Sequence, residues 1–81
     1  MSNLGIGQLA KRAGVAIDTV RYYERNQLLA PAGRLASGYR RYGDPEVTRL
    51  RFIRRAKALG FTLEDIRGLL SLSDERNVAK V

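Results

Sequence analysis

Arginine and tyrosine dominate the residues of this 81-residue chain that could do chemistry. Arg21, Tyr22 and Tyr23 stand in a row, Tyr39-Arg40-Arg41-Tyr42 form a second group, and Arg51, Arg54 and Arg55 a third. Guanidinium forks and phenol hydroxyls donate to phosphate oxygens and base edges. The chain has no histidine and no cysteine. Imidazole and thiol catalysis, disulfides and the usual zinc ligand sets are therefore excluded. Serines and threonines lack the ordinary base that would activate them. Glu64 and Asp65 are neighbours and diverge by about 100° on a helix, so they cannot face each other across a substrate. Asp74 and Glu75 share that defect, and no glycine-rich phosphate loop with its lysine is present. These residues point to binding rather than catalysis, with no cofactor and no metal.

The charge balance agrees. Fifteen Lys and Arg oppose eight Asp and Glu, a net charge of +7. Residues 1–43 carry seven basic and two acidic side chains, 44–60 five and two, and 61–81 three and four. A basic body with a near-neutral end is the footprint of a polyanion binder, although solubility alone also accounts for such a charge. Hydrophobic types make up 44% of the chain, an ordinary share for a globular domain. No apolar run nears the roughly 18–20 residues of a membrane span, and no signal-peptide core is found, which predicts a soluble, cytoplasmic protein without membrane contact. A domain this small buries only about 60% of its unfolded surface, so marginal stability is expected.

Four helices and a hairpin must position these side chains. Ile6, Leu9, Ala10 and Ala13 follow the 3,4 spacing of a helix that Gly14 ends. A second helix, from about Ile17 to Gln27, follows after a tight turn, and the pair has a helix-turn-helix outline. Ile17, Val20 and Glu24 fall on its inward side; Asp18, Thr19, Tyr22, Arg25 and Asn26 lie opposite. Arg21 borders the inward face and Tyr23 flanks it. An outward Tyr22 suits contact with a sugar–phosphate backbone or a base edge, the alternative being that both tyrosines cap a core edge with wet hydroxyls. A carboxylate on the inward line needs a cation, and Arg40 or Arg49 is the expected partner of Glu24.

Residues 30–43 read as a hairpin, with Arg34-Leu35 and Tyr39 to Tyr42 as strands and Ala36-Ser37-Gly38 as the turn. Alternation puts Arg40 and Tyr42 on one face and Tyr39 and Arg41 on the other. Such a hairpin is a wing whose charges reach phosphates, or an ordinary solvated hairpin. Asp44, Pro45 and Glu46 open a third helix, with Asp44 as cap, running to about Leu59 and closed by Gly60. Val47, Leu50, Ile53 and Ala56 pack inward, Phe52 and Leu59 widen the apolar arc, and Arg51, Arg54 and Arg55 form a basic stripe. Thr62 and Asp65 open a fourth helix as a capping pair, with Leu63, Ile66, Leu69 and Leu70 as its core face. Ser73 to Val81 is a polar segment with Val78 and Val81 at helical spacing.

Five strings carry a resemblance: Ile6-Gly7-Gln8-Leu9-Ala10, then Gly14-Val15 with Thr19-Val20-Arg21-Tyr22-Tyr23-Glu24, Leu28-Leu29, Gly38-Tyr39-Arg40-Arg41-Tyr42, and Leu59-Gly60-Phe61-Thr62-Leu63. In this order and spacing the chain resembles the DNA-binding domain of the MerR family of transcription regulators, from about Leu4 to Leu72. The resemblance implies a mostly α fold, a winged helix-turn-helix with a small β-hairpin wing and a following helix pair. It implies that the second helix enters the major groove of double-stranded promoter DNA and contacts it through Thr19, Arg21, Tyr22 and Tyr23. From the wing it implies Arg34, Gly38 by close backbone approach, Tyr39 and Arg40. From the third helix it implies phosphate contacts by Arg54 and Lys57, although Lys57 lies off the basic stripe. Asp18 either accepts from a cytosine amine or favours the helix dipole, and Ala16 stands where the family often has a capping Ser or Thr.

Family members act as homodimers that bend and untwist a promoter spacer, realigning its elements for RNA polymerase, which they affect through the DNA. A long helix after the fourth makes the dimer, so residues 73–81 read as the start of a truncated dimerisation helix or as a tail. The metal sensors of the family place cysteines at or beyond this segment; none is present, and no effector is assigned. The expected location is the cytoplasm, at the bacterial nucleoid. Competing readings are an excisionase-like or short DNA-bending accessory protein without an effector domain, and a basic module for RNA or anionic membrane.

Overall fold

The computed structural model describes the backbone of residues 3–79 and the side chains of residues 3–74. The order of elements is α1 (Ile6–Ala13), α2 (Ile17–Arg25), β1 (Gly33–Arg34), β2 (Arg40–Arg41), α3 (Asp44–Ala58) and α4 (Leu63–Ala79). The architecture is mostly α with one small antiparallel hairpin, as the sequence predicts.

Helix α1 opens where the Gly5 amide donates to Gln8 Oε1 at 3.0 Å. It closes at Gly14, whose φ of 75° is left-handed and lets Val15 N–H return to the Ala10 carbonyl at 3.0 Å. Helix α2 starts at Ala16 without a side-chain cap. It stops at Arg25, two residues before the expected end. Asn26 Nδ2 donates to the Tyr22 carbonyl at 2.8 Å and Gln27 adopts a φ of 57°, so the chain turns there to send Leu28 into the core.

Leu9, Val20, Leu28, Tyr42, Leu50, Ile53 and Ile66 are fully buried and join both helices of the helix-turn-helix, the root of the wing, α3 and α4 around one core. Each aliphatic side chain of this set contributes about 1.5–3 kcal/mol by leaving water. The wing pairs Gly33 with Arg41 and Arg34 with Arg40. Its first strand is thus one residue earlier than Arg34-Leu35, because the Leu35 amide bonds the Tyr39 carbonyl at 2.7 Å inside the turn. Leu4 and Tyr42 exchange two backbone hydrogen bonds of 2.8 Å, so the segment before α1 forms a bridge to the wing that the sequence does not announce.

Helix α3 departs from its expected cap. Gly43 is the capping position, and Glu46 Oε1 accepts from its amide at 2.7 Å. Asp44 sits in the first turn instead, 3.7 Å from the Arg12 guanidinium. The α4 capping pair is reciprocal: Thr62 N–H donates to Asp65 at 3.1 Å and Asp65 N–H donates to Thr62 at 3.0 Å. Val47, Leu50, Ile53 and Ala56 are buried as predicted, but Phe52 (41% exposed), Leu59 (72%) and Leu69 (42%) are not. Phe52 and Leu69 lie on partly exposed positions of α3 and α4, and Leu59 stands just past the end of α3. Helix α4 continues unbroken to Ala79, so residues 73–79 extend it rather than begin a new element. Val81 and the side chain of Val78 lie outside the described residues. Among those described, no helix is long and apolar enough to cross a membrane.

Candidate nucleic-acid interface

The carboxylate that the sequence places on the inward side of α2 organises the site. Glu24 Oε1 accepts from Arg40 Nη1 at 2.9 Å, and Oε2 accepts from the Tyr42 hydroxyl at 2.7 Å. Arg40 on β2 and Tyr42 just past it, bridged to Leu4, are two residues apart along extended chain and both reach Glu24 on α2. Of the two candidate partners for Glu24, the structure selects Arg40. Arg49 is occupied elsewhere, donating to the Leu28 carbonyl at 2.7 Å and to Asp74 at 3.1 Å. Burial pushes the Tyr42 phenol up to about 12, aided by its hydrogen bond to Glu24 and that carboxylate's charge, with Arg40 opposing. A protonated phenol is what the short bond to a carboxylate requires.

This contact folds the wing against the C-terminal half of α2 and leaves an open cleft between them. Arg21, Arg25, Arg34, Tyr39, Arg40 and the Gly38 backbone line it, with Glu24 at its floor. Arg34 Nη1 donates to the Gly38 carbonyl at 3.0 Å, which stiffens the wing tip. Gly38 itself has a φ of 92° and no atom within 4 Å of where a Cβ would stand, so its backbone is open to close approach. Tyr39 is 74% exposed at the tip.

A second basic cleft lies at the other end of the helix-turn-helix, beside Gly14. Lys11, Arg12, Arg51, Arg54 and Arg55 line it. Arg51 donates twice to the Arg12 carbonyl, at 2.9 and 3.2 Å, and so caps the C-terminus of α1 while tying α3 to it. The Arg54 guanidinium lies over Gly14, with its carbon 3.5 Å from the position of a Cβ there. The first cleft is lined partly by the second half of α2, and the second lies at the turn that leads into α2 without touching that helix. An α-helix is about 10–12 Å across with its side chains, which fits the roughly 12 Å width of a major groove.

The structure brings together Arg21, Arg34, Gly38, Tyr39 and Arg40 in the first cleft and sets Arg54 in the second. Lys57 is exposed but lines neither. Thr19 is half-buried and Tyr22 is 45% exposed on the outer side of α2. Tyr23 differs: at 7% exposure its ring belongs to the core, with its phenol pushed up by burial and by neighbouring Tyr22. Its ring centroid lies 5.7 Å from that of Tyr22, which it supports from the inside. Lys11 and Arg12 also line the second cleft, and little in the sequence marks them. Their only signal is two cations in the last turn of a helix, which reads as dipole compensation.

Residues 4–73 match the family described as MerR HTH family regulatory protein. The chain is 50% identical over 76 residues to the HTH-type transcriptional regulator HmrR of Sinorhizobium medicae, covering 94% of this chain and 52% of that protein. Among solved structures it superposes on the transcription regulator PbrR691 of Ralstonia metallidurans, determined with lead(II), with a TM-score of 0.83 and 41% identity over 90% of this chain and 57% of that one. It also superposes on HiNmlR, a MerR family regulator lacking the sensor domain and bound to promoter DNA, with a TM-score of 0.82 and 26% identity over 89% of this chain and 55% of that one. The chain spans about half the length of the curated relatives it matches. With the helix-turn-helix, the wing and the α3–α4 pair all in place and the family match running through nearly all of it, this chain belongs to the MerR family of helix-turn-helix regulatory proteins.

Proposed function

We propose that this chain is the sequence-specific DNA-binding unit of a MerR-type transcription regulator. Helix α2 enters the major groove of promoter DNA and the two basic clefts hold the phosphate backbones on either side. Thr19, Arg21 and Tyr22 face the groove, Arg34, Gly38, Tyr39 and Arg40 serve the wing side, and Arg54 and Lys57 the other. Tyr23 acts with them chiefly by bracing Tyr22. The observation that carries this reading is the gathering of Arg21, Arg25, Arg34 and Arg40 in one cleft between α2 and the wing, with a second arginine-rich cleft at the turn that leads into α2. The neighbour HiNmlR, bound to promoter DNA, supports it.

In a longer parent chain the unit works as a homodimer and activates by distorting the promoter, which reaches RNA polymerase only through the DNA. The unit has no catalytic role, and its place is the bacterial cytoplasm, at the nucleoid. The chain has no cysteine or histidine, and no metal effector enters the proposal. A salt titration of affinity for a palindromic MerR-type operator and for a scrambled duplex tests it. A preference for the operator that grows when the chain is artificially dimerised supports the reading. Equal affinity for both duplexes, with or without dimerisation, would replace it with an architectural binder.

A further inference from the structure

A carboxylate at the floor of a phosphate-binding cleft repels the ligand, and so needs a reason. Glu24 is the acidic side chain of that cleft, its side chain is only 11% exposed, and both of its oxygens are engaged by wing residues. Arg40 gives Glu24 one terminal nitrogen, keeps a side chain 50% exposed, and its guanidinium makes no other hydrogen bond to the described residues. Its remaining N–H donors are left for an outside acceptor.

We propose that Glu24 is a specificity-determining positioning residue, which fixes the Arg40 guanidinium for one registered phosphate contact and cancels its charge toward DNA in general. The inference rests on the DNA-binding reading above. Two physical effects separate the specific complex from the nonspecific one. A free arginine surrenders rotamer freedom when it meets a phosphate, whereas one already held by a carboxylate surrenders less. That advantage exists only where the phosphate falls in register with the held fork. Nonspecific binding, by contrast, follows local net charge through counterion release, and the Glu24–Arg40 pair is neutral. The carboxylate thus lowers attraction to any duplex while preserving the contact that the correct duplex makes. Tyr42 completes the device by orienting the second carboxylate oxygen from the core.

The test uses the 81-residue chain as wild type, E24Q, Y42F, R40A and the E24Q/R40A double variant. The probes are a duplex selected by the wild type from a randomised pool and a base-scrambled duplex of the same length. E24Q is expected to bind the scrambled duplex about 2–5-fold more tightly, with a salt slope steeper by about one, as gaining one local positive charge requires. It gains nothing on the selected duplex, so the specificity ratio falls by the same factor of about 2–5. Y42F lowers the ratio by a smaller factor and leaves the slope on scrambled DNA unchanged. In the R40A background E24Q no longer lowers the ratio, because the group that Glu24 positions is gone. A folded E24Q whose ratio and slope both equal those of the wild type overturns the inference. Should E24Q not fold, a Y42F ratio equal to the wild type's overturns it. Wild type that selects no duplex over the scrambled one, even when artificially dimerised, overturns the DNA-binding reading and this inference together. Wild-type selectivity with an unaffected E24Q overturns this inference alone.

Discussion

The Tyr42 hydroxyl reaches from the root of the wing to Glu24 on α2 and donates to its Oε2 at 2.7 Å. Tyr42 is fully buried, so the side chain that anchors the hairpin in the core also sets the orientation of a carboxylate on the binding face. Stability and binding geometry meet in this one bond.

Its first consequence is a pH dependence. The Tyr42 phenol is raised from 10.0 to about 12 in the folded chain. A raised folded pKa means the native state holds the proton more tightly, so the stabilisation is complete below about pH 10 and is lost as pH climbs toward 12. Unfolding free energy measured in urea should fall by up to about 2–3 kcal/mol across that window. Y42F should be less stable at neutral pH and flatter over the same window; a slope equal to the wild type's would assign the titration elsewhere.

Removing the Arg40 guanidinium leaves Glu24 as an uncompensated charge in the cleft. Arg40→Ala should weaken binding to every duplex and reduce the salt slope by about one. An unchanged slope would mean that the wing does not touch phosphate.

Tyr22 stands on the outer side of α2, and Tyr23 behind it in the core. Loss of one hydroxyl in Tyr22→Phe should reduce affinity for the selected duplex more than for scrambled DNA, by about 1 kcal/mol of discrimination. Competition titrations read this directly, and equal losses on both duplexes would make Tyr22 a backbone contact.

The turn between α1 and α2 is sensitive to backbone rather than to space. A Cβ at Gly14 would meet the Arg54 guanidinium carbon at 3.5 Å, an ordinary contact, but the residue's φ is 75°. Gly14→Ala should therefore cost about 1–2 kcal/mol of stability by thermal or urea unfolding. A neutral effect would show that the turn relaxes out of the left-handed region.

Local signals account for much of the fold. The 3,4 spacing of Leu9, Ala10 and Ala13 before Gly14 suffices for α1, and Thr62 with Asp65 suffices for the start of α4, because hydrogen bonds and side-chain faces there depend on residues within one turn. Cap choice at α3 is harder to read. Asp44 and Gly43 are both acceptable caps, and the reach of Glu46 back to the Gly43 amide decides between them. The basic character of the chain is also visible from composition, and the structure gathers Arg21, Arg34, Tyr39 and Arg40 around one cleft.

Short-range signals thus suffice for the set of elements, their order, the line of core residues on α3 and the excess of arginine. Long-range packing sets the rest: Arg40 rather than Arg49 serves Glu24, Leu4 pairs with Tyr42, Tyr23 is buried while Tyr22 is not, and Arg51 grips the Arg12 carbonyl. It also exposed Phe52, Leu59 and Leu69, which helical periodicity alone assigns to an apolar arc. The physical reason is distance along the chain. Propensity, capping and amphipathic spacing act over a few residues, whereas ion-pair choice, strand bridging and the burial of one of two adjacent tyrosines depend on which distant surfaces packing brings into contact.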